Sequence, residues 1–429
     1  MLEMKRRFFL AGTAAILATP SLGSAQAAAP AKGGTLKISV DQAVSVIHPL
    51  LTRVNPEYLV TELLYSNLTR LKVDMSVEPD LAESWTPNEA LTEWTFKLRT
   101  GVTFHDGSPF TAKDVVATFK AILDPATASP GRNNVGPIAD IVAVDDATVM
   151  FKLTGAYADL PVSMAYTSAR IIPASIATGD LKSLSTKAVG TGPFKLVSYE
   201  PDRLIVVERN EKYYDPARPY LDRVEVQVFP DISAEGSAMM SGDVDIVSTI
   251  QPTEYLRLDG SDGVDVLRTP SGQFCNINFG CDTAPFNDPR VRRAIALTVD
   301  REAMVGFVTE GFGTQGNDTP LNGSYQFFKG VKQREQNIEE AKKLLAEAGF
   351  PNGFEATLVA SDRPAVRTQL AVALKEMAKE VGITINVQTM PHATYLEQVW
   401  KKGSFYVGFY NMQPTPDGIF KLLYTSDAS

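Results

Sequence analysis

Between Leu81 and Phe119 the chain reads LAESWTPNEALTEWTFKLRTGVTFHDGSPFTAKDVVATF, and each local signal in that run constrains the next element. Trp94, Phe96 and Leu98 alternate with Thr95, Lys97 and Arg99, the period-two spacing of a half-buried strand. Thr100-Gly101 closes that strand, and Phe104-His105-Asp106-Gly107 makes a tight loop. Thr111 and Asp114 then form a capping-box pattern ahead of a helix whose apolar face carries Val115, Val116 and Phe119. Strand, loop and capped helix account for these residues without any catalytic group.

The same grammar recurs along the chain. After Gly33-Gly34, Thr35 to Val40 reads as a strand and Pro56 to Leu68 as a helix. Ile141 to Val144 and Thr148 to Leu153 form a hairpin about Asp145-Asp146, two acids that a turn explains better than acid chemistry does. Phe194 to Tyr199, Leu204 to Glu208 and Leu221 to Phe229 are strands, Ser233 to Met240 is a helix, and Val244 to Val247 is a short buried strand. The chain changes lobe near Thr269 to Gly272. Phe274 to Phe279 follows as a strand, and Asp288-Pro289 opens a helix reaching Val299. Asn337 and Glu340 cap a helix from Ile338 to Ala348, with Glu339 and Lys343 paired one turn apart and Gly349 as its stop. Phe354 to Val359, Pro364 to Glu380 and Ile383 to Thr389 then make a strand, helix, strand unit that favours parallel pairing. Alternating strands and helices predict α/β layers, and 429 residues exceed what one core holds, so two lobes are expected.

The amino terminus reads as an export leader. Lys5-Arg6-Arg7 is a positive start, Phe8 to Ala18 an apolar core, and Ala25-Gln26-Ala27 a small-residue cleavage site, with cleavage expected after Ala27. Arg6-Arg7 followed by Phe9-Leu10 fits a twin-arginine signal, while two arginines also suit the general secretory route. No later run is apolar enough for a membrane helix, which predicts a periplasmic protein. The formal charge is −9, and losing Lys5, Arg6, Arg7 and Glu3 with the leader brings it to about −11. That acidity, with no basic run, disfavours nucleic acid as a partner. Cys275 and Cys281 lie on one extended segment, roughly 20 Å apart if it is a strand, so two small buried thiols are expected rather than a bridge.

Searched for chemistry, the chain offers little. Gly311 to Gly316 satisfies GxGxxG, but it follows the helix Arg301 to Val308 instead of a strand, which makes it a loop. His48, His105 and His392 lack ligand spacing, so no metal and no cofactor is expected; His48 is either a ligand-facing or an ordinary surface residue. Asp243 and Asp245 point to one side of an extended segment and read as turn and strand residues.

The run from Leu81 to Phe119 closely resembles the corresponding region of the bacterial extracellular solute-binding proteins of family 5, which serve peptide, nickel and opine importers. The resemblance extends in order through GTGPF at 190–194, SGDVD at 241–245, PFNDPRVRRA at 285–294 and EAKKLLAEAGF at 340–350. It implies an α/β two-lobe periplasmic binding protein, class II-like, with an extra subdomain inserted in the first lobe. The expected units are a signal peptide at 1–27, a first-lobe core at 33–70 and 187–269, the insert at 71–186, and an incomplete second lobe at 270–429, since relatives continue further. Such a protein closes over a small-molecule or peptide ligand and hands it to the membrane permease of an ABC importer; a monomer is expected, and a secreted hydrolase of the same solutes is the alternative. In the family's dipeptide binder the arginine of an Arg-Pro pair holds the peptide carboxylate, and Arg363-Pro364 resembles it. The acid that holds the peptide ammonium corresponds to Met412, within the segment Phe409, Tyr410, Asn411, Met412. Without that acid an ammonium lacks its charge-assisted partner, which favours an opine or a modified peptide. Phe274 and Asn276, on one face of the crossing strand, join Tyr410 and Asn411 as expected walls.

Overall fold

The computed structural model describes residues 31–250, 252–269, 271–325 and 328–425. The leader expected at 1–27 lies outside them. Among the described residues no helix is long and apolar enough to cross a membrane.

The opening strand, Thr35–Val40, pairs in parallel with Arg223–Val228 on one side and Ile246–Val247 on the other. Leu204–Arg209 and Phe194–Glu200 extend this five-stranded sheet by antiparallel pairing. The segment from Val244 is shorter and less covered than expected. Only Ile246 and Val247 pair, and Ile246 is 44% exposed because it forms the sheet edge. The acids beside it are structural: the Asp245 carboxylate accepts the Lys37 amide at 2.8 Å and that of Asp243 accepts the Ser241 hydroxyl at 2.7 Å. The helix expected to reach Leu68 spans Asn55–Leu64. Tertiary pairing ends it early, since the Leu64, Ser66 and Leu68 carbonyls accept from Gly192, Ile171 and Ala82.

Between these strands the chain builds a four-stranded antiparallel sheet in the order Ala82–Pro87, Glu93–Leu98, Thr148–Leu153, Ile138–Asp145. Trp94, Phe96 and Leu98 all point inward. Phe96 and Phe119 each meet Phe151 edge-on, with centroids 5.4 and 5.1 Å apart. The helix Ala112–Leu123 starts where the capping box places it: the Thr111 amide donates to Asp114 Oδ2 at 2.7 Å. Asp145 is a turn residue, its carboxylate accepting the Ala147 amide. A single apolar core runs from Ile38 and Val40 of the first sheet into Phe96 of the second and Phe119 of the helix packed on it.

Gly190 and Gly192 explain the GTGPF motif physically. Both lie against Leu64 and Tyr65 so closely that a Cβ at either would overlap backbone atoms of that pair or its neighbour Leu63. His105 holds the segment there. Its Nδ1 accepts the Gly190 amide at 3.3 Å, which leaves Nε2–H to donate to the Gly192 carbonyl at 3.1 Å.

A second apolar core surrounds another four-stranded sheet, ordered Phe274–Phe279, Phe405–Tyr410, Glu355–Ser361, Thr384–Met390. The last two strands are parallel and joined by the helix Val366–Ala378, the crossover unit expected from the sequence. The helices Pro289–Thr298 and Ile338–Glu347 begin at Asp288 and Asn337, whose side chains accept the Arg290 and Glu340 amides. On the second of these helices the ion pairs are Glu340 with Lys343 and Glu339 with Lys342, three residues apart, instead of the expected Glu339 with Lys343. Gly311 follows the helix Arg301–Thr309 in a loop with φ of +80°, so the GxGxxG run has no strand before it. Cys275 and Cys281 are both free, and Cys281 is exposed rather than buried because the strand ends at Phe279.

Candidate functional site

Three strands of the second sheet run parallel, and their carboxyl ends bring together Ser361 to Pro364, Met390 to His392, and Tyr410 to Gln413. In open α/β sheets such an edge is where small molecules bind. The segment Gly272 to Phe274 enters beside it, because Phe274 pairs directly with Tyr410.

The expected wall residues fall on two faces of this sheet. Phe274, Asn276 and Tyr410 share one face, with the Phe274 and Tyr410 rings 5.3 Å apart. They are not all free to meet a guest. Tyr410 is buried in a small apolar cluster with Tyr325 and Ile419, which Phe274 and Met412 also join. Asn276 exchanges amide hydrogen bonds with Asn278 at 3.1 and 3.2 Å. Met412 packs on Gly272, at which a Cβ would stand 2.6 Å from its Cγ. Asn411 is exposed and accepts from Gln273 at 3.0 Å. Phe409 lies on the opposite face with Cys275.

Arg363 is exposed, and its side chain makes no hydrogen bond or ion pair among the described residues. Ser361, fully buried, anchors its loop: the Arg363 amide donates to Ser361 Oγ at 3.2 Å, and the same hydroxyl lies 2.9 Å from His392 Nδ1. Burial, then the positive charges of Arg367 and Arg363, hold His392 below its usual value. This edge is therefore cationic, with Asp362 the opposing charge felt by His392. His48 stands elsewhere. It is 1% exposed inside the first lobe, its Nδ1 accepts the Leu50 amide, and its other neighbour is the Leu181 backbone. It is neither a surface residue nor a member of this cluster.

Arg367 is a buried cation at this edge that the motifs do not single out. It opens the helix Val366–Ala378, is only 5% exposed, and packs over the rings of Tyr395 at 5.1 Å and Phe409 at 5.7 Å. The spacing did carry a signal. Arg367 lies on the same helical face as Leu370, Ala371, Leu374 and Ala378, all buried, so its position in the heptad marks a cation turned inward.

Beside this edge, where Gln413 belongs to both, a crevice enclosing about 20 Å³ separates the two lobes, lined by Asn133, Tyr157 and Tyr166 on one side and Gln413, Thr415 and Lys421 on the other. Its walls touch where Lys421 Nζ, paired with Asp417 at 2.8 Å, rests 4.9 Å from the Tyr157 ring centre. Space of that size fits a water molecule, so the lobes are in contact here.

Comparisons with known proteins agree with this architecture. The family model described as bacterial extracellular solute-binding proteins, family 5 Middle, matches residues 76–429. The oligopeptide-binding protein AppA of Bacillus subtilis is 27% identical over 413 residues, covering 91% of this chain and 75% of that protein. The heme-binding protein A of Haemophilus influenzae is 28% identical, covering 82% of this chain and 69% of that one. Among solved structures, the binding protein AgaA of A. tumefaciens R10 in complex with agropinic acid matches with a TM-score of 0.82 at 27% identity, over 92% of this chain and 81% of that one. DppA of Helicobacter pylori in complex with the peptide STSA matches at 0.81 and 26%, with 93% and 82% covered.

Proposed function

As the chain belongs to the bacterial extracellular solute-binding proteins of family 5, a family of binding proteins and not of enzymes, we propose that it captures a peptide-like or opine-like solute between its lobes and delivers it to the permease of an ABC importer. The lobes close about the crossing near Arg268 to Gly272, and the solute favours closure only through contacts it makes with both lobes. The protein works as a monomer in the periplasm after removal of its leader. Arg363, Asn411 and Phe274 contribute to the wall that receives the solute, with Tyr410, Phe409, Asn276 and Met412 behind or beside them.

One observation carries the choice of solute. Met412, whose position resembles that of the ammonium-binding acid in the family's dipeptide binder, packs on Gly272, while Arg363 stands exposed on the same edge with no side-chain hydrogen bond or ion pair among the described residues. An edge of that kind suits a solute with an acid group and a blocked or missing α-ammonium. Thermal-shift titration with a tetrapeptide, its N-acetyl form and sugar conjugates of amino acids tests this. The acetylated peptide or a conjugate is expected to stabilise the protein saturably, about 2.7 kcal/mol at a hundredfold excess over Kd, with the solute recovered unchanged. Preference for the free-ammonium peptide would refute the reading.

A further inference from the structure

A guanidinium taken out of water ordinarily has an acid beside it, because a buried unpaired charge is strongly unfavourable. Arg367 has none. Its Nε and one Nη are fully covered and without a hydrogen-bond partner, and no ion pair reaches the side chain among the described residues. What surrounds the cation are the faces of Tyr395 and Phe409, the Cys275 thiol and the Tyr410 phenol. Burial pushes the Cys275 thiol up to about 12 and both phenols upward as well, so these groups are neutral at pH 7 and none supplies the missing charge. The Tyr395 hydroxyl is committed to the Val407 carbonyl at 2.7 Å, which fixes its ring under the guanidinium. Aromatic faces compensate a cation only in part. The charge is held in place by packing and has no counter-ion among the described residues.

Position gives this its meaning. Arg367 sits in the first helical turn after Ser361 to Pro364, at the carboxyl edge of the sheet, where its charge is felt by His392. We infer that Arg367 is an anion subsite of the binding cleft, receiving a carboxylate of the bound solute on its planar fork. The carboxylate supplies the counter-charge absent among the described residues, and Arg363, four residues earlier and exposed, meets the solute from outside. This rests on the solute-binding reading above and adds which buried side chain receives the acid group.

A structural arginine and a binding arginine respond oppositely to the same change. Arg367→Met keeps length and apolar contact while removing the charge. The ligand-free variant is expected to melt at the same temperature as the parent or a few degrees higher, since an uncompensated buried charge has gone. Its affinity should fall at least 100-fold for N-acetyl tetrapeptide and for a free-acid sugar conjugate of glutamine, and hardly change for the C-terminal amide or ester of each. Arg367→Lys, which keeps charge but not the fork, should fold and lose at least tenfold, and covers the case in which the methionine variant does not fold. In parallel, the Arg367 Nε–H NMR signal, assigned by its loss in either variant, should shift saturably on titration with succinate and stay unmoved with succinamide. A fall in melting temperature of the free variant together with equal binding of acid and amide by the parent would overturn the inference, as would a signal indifferent to succinate. The two levels separate: peptides or conjugates bound equally by parent and variant retain the solute class and remove the subsite. Response to succinate with no binding of peptides or conjugates retains the subsite and removes the class.

Discussion

Lowering the pH should loosen the attachment of the Gly190 to Gly192 segment through one residue, His105. Its ring is largely covered and bonded in the neutral form, Nδ1 accepting from Gly190 and Nε2 facing the Gly192 carbonyl, and burial pulls it down to about 4 from an ordinary 6.5. Protonation would put a donor against the Gly190 amide. With the folded value depressed, the unfolded chain takes up the proton first, so stability is fully present above pH 6.5 and falls as the pH drops toward 4. Linkage over that interval gives a loss of about 2 kcal/mol at pH 5 and about 3 kcal/mol near pH 4. Urea unfolding at pH 7.5, 6, 5 and 4 measures it, with His105→Gln as the control that keeps a donor near the Nε2 position. The variant should start about 1 to 2 kcal/mol less stable at pH 7.5, from a weakened hydrogen bond, and lose correspondingly less on acidification. His48 and His392, both also lowered, contribute equally to parent and variant. Parallel curves for the two proteins would refute the assignment of the acid sensitivity to this ring.

Other substitutions test separate parts of the account. Asp114→Ala removes the acceptor of both the Thr111 amide and, at 2.7 Å, the Ala174 amide, so urea unfolding should register a loss of about 2 to 3 kcal/mol, more than an ordinary cap. Phe151→Ala empties the space shared with Phe96 and Phe119 and should cost about 3 to 5 kcal/mol by the same assay. Gly192→Ala drives a methyl group into the Leu64–Tyr65 backbone; poor folding or a melting point lowered by several degrees is expected, whereas Gly316→Ala, in open space, should be neutral.

Elements with strong local grammar were legible before the structure. The strand at Trp94 to Leu98, the box at Thr111 and Asp114, and the crossover from Glu355 to Met390 depend on neighbours within a few residues, and they formed where periodicity and caps placed them. Misjudgements came where distant chain decides. The helix after Asn55 ends at Leu64 because Gly192 and Ile171 claim the carbonyls of that turn, and Ile246 is exposed because nothing pairs beyond it. The site divides along the same line. Motif comparison led to Arg363 and to the segment Phe409 to Met412, but not to the sharing of Phe274 and Tyr410 by a local apolar cluster, nor to the burial of His48. Arg367 was visible only as a cation on an apolar helical face, a pattern that gains chemical meaning once Tyr395, Phe409 and Cys275 are seen to surround it without an acid.

The central claim is that the molecule holds an unaltered small solute between its lobes. Native mass spectrometry of the protein with the solute that most raises its melting temperature tests this directly. A one-to-one complex heavier than the free protein by the mass of the intact solute is expected; a free protein accompanied by a chemically altered solute would contradict the account.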